Sequence, residues 1–317
     1  MYNADMPLVA ALLLGSFSTT SSITVTPTVT PFAHGKSCAF SLEFDDSITT
    51  QVKNVVPLLD HYKFPATFYI NPGRSQYKQY QRIWEEVIPM YGHELADHTW
   101  NHGDTIGAEK ASEEIGSVAK LIEKIIGHPT LTVFGTPGGV KWEIPDAEFK
   151  RILKENRLIF PGRQDFYQDG QGDITRFPKR AIDEKVWRQL GFHGVGGEWL
   201  STSVENLTTL LEYIHTNREK MWIAPTGTVY KYVHERDALT NISTGQNGII
   251  TPHFDHAKIE PFELFNTPLT MHFTAPKGWK KAVVKVDGKT VPSTLSGSIV
   301  EFEFTPQAKS IQVIQGK

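Results

Sequence analysis

The stretch CAFSLEFDDS, Cys38 to Ser47, ends an apolar run with two adjacent carboxylates. The run reads as a buried strand, and Ser47 is a turn signal beyond it. Consecutive side chains on a strand point to opposite faces, so Asp45 and Asp46 cannot serve one purpose symmetrically unless the chain turns just after them. The carboxyl ends of strands are where α/β proteins keep their chemistry, and there one acid can bind while its neighbour moves protons. By itself an Asp-Asp pair is more often a solvated corner between strand and loop. A second cluster of functional groups is needed to raise it above that.

Outward from this stretch, strands and helices alternate. VKNVVPLLDHY reads as a helix, ATFYIN as a strand, QRIWEEVIPMY as a helix and HELADHT as a third strand. Ile115, Val118, Ala119, Ile122, Ile125 and Ile126 then fall at helical spacing, with Gly127 placed to close that helix. LTVFGTP, LIFPG, ITRFP and LGFHGV are expected as further short strands, and TSVENLTTLLEYIH as a helix opened by a capping box from Thr202 to Glu205. Repeated βα units favour a barrel or partial barrel over residues 37–239. From residue 240 to 317 the helical period disappears. Short strands with turn signals, among them Asp287-Gly288, suggest a small β-sandwich.

Composition excludes several functions. The chain has 317 residues, 32 Lys+Arg against 35 Asp+Glu, and a net charge of −3, without a basic run interleaved with aromatics. A nucleic-acid partner is therefore not expected. Cys38 is the only cysteine, so an internal disulfide and thiolate clusters are excluded, leaving His, Asp and Glu as metal ligands. Residues 1–36 contain the short apolar run PLVAALLLGSF, followed by Thr/Ser/Pro-rich sequence, which reads as a signal-like segment and linker. The apolar run is too short to span a bilayer, so a secreted or cell-envelope protein with no stable membrane span is expected, although Asp5 stands where a basic region belongs.

The second cluster is ADHTWNHGD, which places His98 and His102 four residues apart after the third strand. On a helical turn these rings would share a face. Alone, such a pair is as much at home on a solvated helix. Beside Asp45 and Asp46 it makes a ligand set of two imidazoles and a carboxylate with positions left open, as a catalytic divalent site requires.

These motifs resemble the polysaccharide deacetylases of carbohydrate esterase family four. The family's Thr-Phe-Asp-Asp appears as Glu43-Phe44-Asp45-Asp46, and its His-Ser/Thr-x-x-His as His98-Thr99-Trp100-Asn101-His102. The resemblance implies a distorted (β/α) barrel. It makes Asp46, His98 and His102 ligands of a divalent ion, zinc foremost with cobalt or nickel as alternatives, and Asp45 the general base. FGTPGG departs from the third motif, with Gly135 where the family has an Arg, and no acidic fourth motif stands near AIDEKVW. Arg176, Lys179 and Arg180 are the candidates to replace that cation. Gly138 would still offer an oxyanion N–H, although TPGG also suits a plain tight turn. LGFHGVGG approximates the fifth motif and makes His193 the candidate general acid. Trp100, Trp142 and Trp199 are candidates to line a sugar groove, or else core residues. The expected partner is an acetylated glycan that loses N- or O-acetyl groups. The alternatives are hydrolysis of a non-carbohydrate amide or cyclic ureide, and non-catalytic carbohydrate binding. The sequence specifies neither the glycan nor the oligomeric state.

Overall fold

The structure is a computed structural model that describes residues 27–162, 165–245 and 249–316. The signal-like apolar run lies outside the described residues. Strand β1 (Thr28–Val29) falls within the expected linker but pairs antiparallel with a strand around Met271, so this part of the segment is not a tether.

The alternation then begins: β2 (Cys38–Asp45), α1 (Val56–Tyr62), β3 (Thr67–Ile70), α2 (Ser75–Gln79), α3 (Ile88–Met90), β4 (Glu94–Asp97), β5 (Thr105–Ile106) and α4 (Ala108–Ile126). It continues through β6 (Thr132–Val133), β7 (Trp142–Glu143), α5 (Asp146–Glu155), β8 (Leu158–Ile159), β9 (Asp165–Phe166), α6 (Arg176–Glu184), β10 (Trp187–Phe192), α7 (Val204–Thr216), β11 (Met221–Ile223) and α8 (Thr226–Ala238). Parallel pairing runs β9-β10-β2-β3-β4, and a bridge from Asp97 to Phe134 carries it on to β6 and β8. The sheet curls into a distorted barrel. β11 pairs with the first residues of β2, on the strand that β3 joins near its end.

Strand alternation sorts β2 into two faces. Phe40, Leu42 and Phe44 join the cluster that packs under the helices with Phe68, Ile70 and Leu95. Phe192, Phe44 and Phe68 are cross-strand partners, with ring centres 5.3 and 5.2 Å apart. Each fully buried ring contributes about 2–3 kcal/mol, and stacking adds about 1 kcal/mol per pair. This aromatic row fixes the height at which Asp45 and His193 leave the sheet.

Two expectations about local structure change. ITRFP is not a strand: Ile174, Phe177 and Ala181 are buried at helical spacing, and Pro178 sits in the first turn of α6, where its missing N–H costs nothing. Ser203, not Thr202, caps α7, its Oγ accepting from Asn206 N at 3.2 Å, while Thr202 is buried and bonds Tyr167 O.

After α8 come β12 (Leu239–Thr244), β13 (Ile249–Phe254), β14 (Leu269–Thr274), β15 (Ala282–Val286), β16 (Lys289–Val291), β17 (Ser293–Ser296), β18 (Ile299–Phe304) and β19 (Ile311–Gln315). They form two antiparallel sheets, β1-β14-β18-β17 and β12-β13-β19-β15-β16. Leu269, Met271, Val300 and Phe302 of the first share one apolar cluster with Ile250, Val284, Ile311 and Val313 of the second, joined by Tyr232 of α8. Asp287 and Gly288, at φ of 48° and 79°, make the expected turn between β15 and β16.

Candidate active site

Asp45 ends β2 facing the barrel interior, and Asp46 then takes φ 77° and Ser47 φ 53°. This left-handed turn, which costs non-glycine residues free energy, brings the second carboxylate round to the side of the first. Thr99 and His102 are also left-handed, at 66° and 52°. His98 and His102 therefore lie on a bent loop and not on the helical turn expected from their spacing. The loop is held by its own groups: Thr99 Oγ1 accepts from His102 N, and Asp97 Oδ1 accepts from Thr99 N.

The loop brings the ligand candidates together. His102 Nε2 is 3.1 Å and His98 Nε2 3.5 Å from Asp46 Oδ1, yet that buried oxygen has no aligned hydrogen-bond partner. His98 Nδ1 lies 2.8 Å from Gly135 O. A carbonyl only accepts, so Nδ1 carries a proton and Nε2 is the ring atom turned to Asp46. Burial alone would raise the Asp46 carboxyl, but the adjacent His102 and His98 rings outweigh it and hold it well below the usual carboxylate range. One donor atom from each of Asp46, His98 and His102 lies within 4.8 Å of the others. An orphaned carboxylate oxygen and two imidazole nitrogens on a common point fit a divalent ion.

Asp45 Oδ2 stands 4.0 Å from His98 Nε2 and 3.8 Å from His193 Nε2, so His193, the first residue after β10, faces the acid from across the cleft. Phe166 lies against its ring, with centroids 5.5 Å apart. Gly138 also lines this cleft of about 460 Å³, as do Thr136, Tyr167, Trp199 and Leu200. Among the tryptophans, Trp199 alone lines it: Trp100 packs on the main apolar cluster and Trp142 on Phe134 and Phe149. Trp199 does more than form a wall, because its Nε1 donates to Asp46 Oδ2 at 2.9 Å. Two of the three candidate replacement cations are occupied elsewhere. Arg176 donates to Gln171 O and Asp173 O, and Arg180 to Glu184.

Several residues that position the site carry no motif. Gln51 Nε2 donates to both Asp45 O and His193 O, tying base and acid candidates to one amide. Asn71 Nδ2 donates to His98 O and Thr99 O, and Glu114 accepts from Asn101 N and Nδ2. Glu43, where the family has Thr, accepts from Tyr69 Oη and Thr226 Oγ1 inside the barrel. Asn71 follows a strand and opens Asn-Pro-Gly, a detectable turn signal; Gln51 and Glu114 sit in ordinary helical pattern and have none.

No curated protein matches the chain. Similar solved structures include the peptidoglycan deacetylase PdaC from Bacillus subtilis, at 18% identity over 63% of this chain and 94% of that one, with a TM-score of 0.45. A family 4 carbohydrate esterase from Streptomyces lividans shows 16% identity over 58% and 91%, at 0.45. The Xyl-CE4 domain of a multidomain xylanase from the hindgut metagenome of Trinervitermes trinervoides shows 15% over 61% and 90%, also at 0.45. The family model that matches is that of the polysaccharide deacetylases, over residues 34–155, the stretch that carries Asp45, Asp46, His98 and His102.

Proposed function

We propose that the protein is a metal-dependent hydrolase that removes N- or O-acetyl groups from a carbohydrate. The observation that carries this is the buried, unpartnered Asp46 Oδ1 facing two imidazole nitrogens, with a second carboxylate beside it. Asp46, His98 and His102 hold the ion, and this borderline N/O donor set suits zinc. When bound, the ion supplies a Lewis acid for the acetyl carbonyl and for the attacking water. Asp45 takes the proton from that water, and the Gly138 N–H faces the developing oxyanion. His193 then protonates the leaving amine or alkoxide. Phe166, Trp199 and Leu200 offer apolar faces to a sugar ring. Residues 37–239 form the deacetylase unit, and residues 240–317 an accessory β-sandwich.

The test is acetate release from acetylated xylan and chito-oligosaccharides, before and after chelation, beside hydrolysis of an aryl acetate. Chelation should abolish release and added zinc restore it. His193→Ala should lose glycan deacetylation by roughly 10²–10⁴-fold while sparing the aryl ester, whose phenolate leaves without a proton. Full activity after exhaustive chelation would exclude the metal mechanism, and equal losses on both substrates would exclude the acid role.

A further inference from the structure

Arg74 lies in the loop after β3, at the end of the barrel where Asp45 and His98 sit. That loop is fastened to the His98–His102 loop: Gly73 N donates to Trp100 O at 2.7 Å, beside the two bonds from Asn71. A Cβ on Gly73 would come within 2.2 Å of Asn101 Oδ1, so the two loops touch only because this residue is glycine. Arg74 is thereby placed by the same loop that supplies two ligand candidates.

Its guanidinium carbon lies 5.3 Å from the centre of the Trp199 ring, the indole that bonds Asp46. Stacking occupies the face of the guanidinium and leaves its N–H edges free. Every other described arginine has an oxygen partner: Arg82, Arg151, Arg157, Arg180, Arg188, Arg218 and Arg236 pair with carboxylates, and Arg176 with carbonyls. The half-buried Arg74 has none among the described residues. Glu198, the acid beside Trp199, turns instead to Thr50 N and Oγ1 and to Gln76 Nε2. Donors left unspent beside an indole that lines the cleft are arranged for an acceptor that arrives with the substrate.

We propose that Arg74 binds a carboxylate carried by the glycan, so that the enzyme prefers acetylated chains bearing acidic sugars. A planar carboxylate matches the paired N–H edges of guanidinium, which a neutral hydroxyl does not. The inference rests on the deacetylase function proposed above and adds the class of glycan.

The experiment compares glycans that share a backbone and differ in charge: acetylated xylo-oligosaccharides with and without glucuronic acid side groups. A charge-assisted pair of hydrogen bonds predicts that Arg74→Gln lowers kcat/KM on the acidic oligosaccharide roughly 10–100-fold and on the neutral one less than about threefold. Arg74→Lys should recover only part of the loss, since it restores charge without the fork. Equal losses on both substrates, or none on the acidic one, would overturn the proposal. Calorimetric binding of the deacetylated acidic and neutral oligosaccharides to wild type and Arg74→Gln gives a readout independent of turnover. If no glycan releases acetate but the acidic chain still binds through Arg74, the deacetylase function fails and the carboxylate site stands. If both chains bind wild type equally, the carboxylate site fails, whatever the turnover.

Discussion

Trp199→Phe separates a cleft wall from a holder of Asp46. The substitution keeps a ring beside Arg74 and in the cleft, and it deletes one donor, the Nε1–H that lies 2.9 Å from Asp46 Oδ2. The acceptor is an ionised carboxylate on a residue 2% exposed, whereas the indole belongs to a residue 37% exposed. A hydrogen bond to a charged group contributes about 1.5–3 kcal/mol. Because the Trp199 side is partly open, a water can enter and recover some of this, which places the expected loss toward the lower figure. The carboxylate then swings more freely, and Asp46 Oδ1 must be ordered again whenever an ion binds. Zinc affinity, measured by competition with a chromophoric chelator, should therefore fall roughly 10–100-fold, within the range found when a group supporting a metal ligand is lost. Thermal unfolding of the metal-free variant should stay close to wild type, since the indole makes no other hydrogen bond described here. Unchanged zinc affinity in a folded variant would show that Trp199 forms the wall alone.

The two acids of the opening stretch should fail differently. Asp46→Ala removes the proposed ligand and should lose its metal, whereas Asp45→Asn should keep metal content near wild type and lose roughly 10²–10⁴-fold in turnover; metal analysis of the reverse pattern would exchange their roles. Acid should destabilise the fold through His93. Burial lowers its pKa to about 4 from 6.5, and its Nδ1 accepts from Ala66 N, so the folded state holds the ring neutral. The stability this confers is complete above pH 6.5 and is lost as pH falls toward 4, by about 3 kcal/mol, since each pH unit between the two values is worth about 1.4 kcal/mol. Urea unfolding at pH 7 and pH 4 should show that difference shrink in His93→Gln, and an unchanged difference would assign the acid sensitivity elsewhere.

What was legible in the sequence follows the range of the interactions. The long periodic helix α4 and the turn at Asp287-Gly288 are local, and both stand where their patterns put them. Asp45, Asp46, His98 and His102 stood out as candidates by their motifs, and the structure brings them together. ITRFP was misjudged because a short apolar run carries too little periodicity to tell strand from helix. The helical turn expected for His98 and His102 gave way to a bent loop because Asn71 and Glu114 hold its backbone from outside it and Thr99 holds it from within. The indole on Asp46 bridges 153 positions, and the Gln51 bond to His193 bridges 142. No single-sequence pattern reaches across such distances. Arg74 escaped for the opposite reason: its significance lies in having no acceptor where all its described counterparts have one.

The pairing of β1 with β14 sets an order of events in the life of the chain. Thr30 and Thr270 are bonded although 240 positions separate them, and the whole barrel is made between them. During synthesis β1 emerges early and waits, an unpaired edge, until nearly the entire chain has followed. Its closure is a late step with a large loop to bring together, so it should lag behind formation of the parallel sheet. A ribosome stalled after α8 would hold a polypeptide whose barrel strands are all present and whose first strand still lacks its partner.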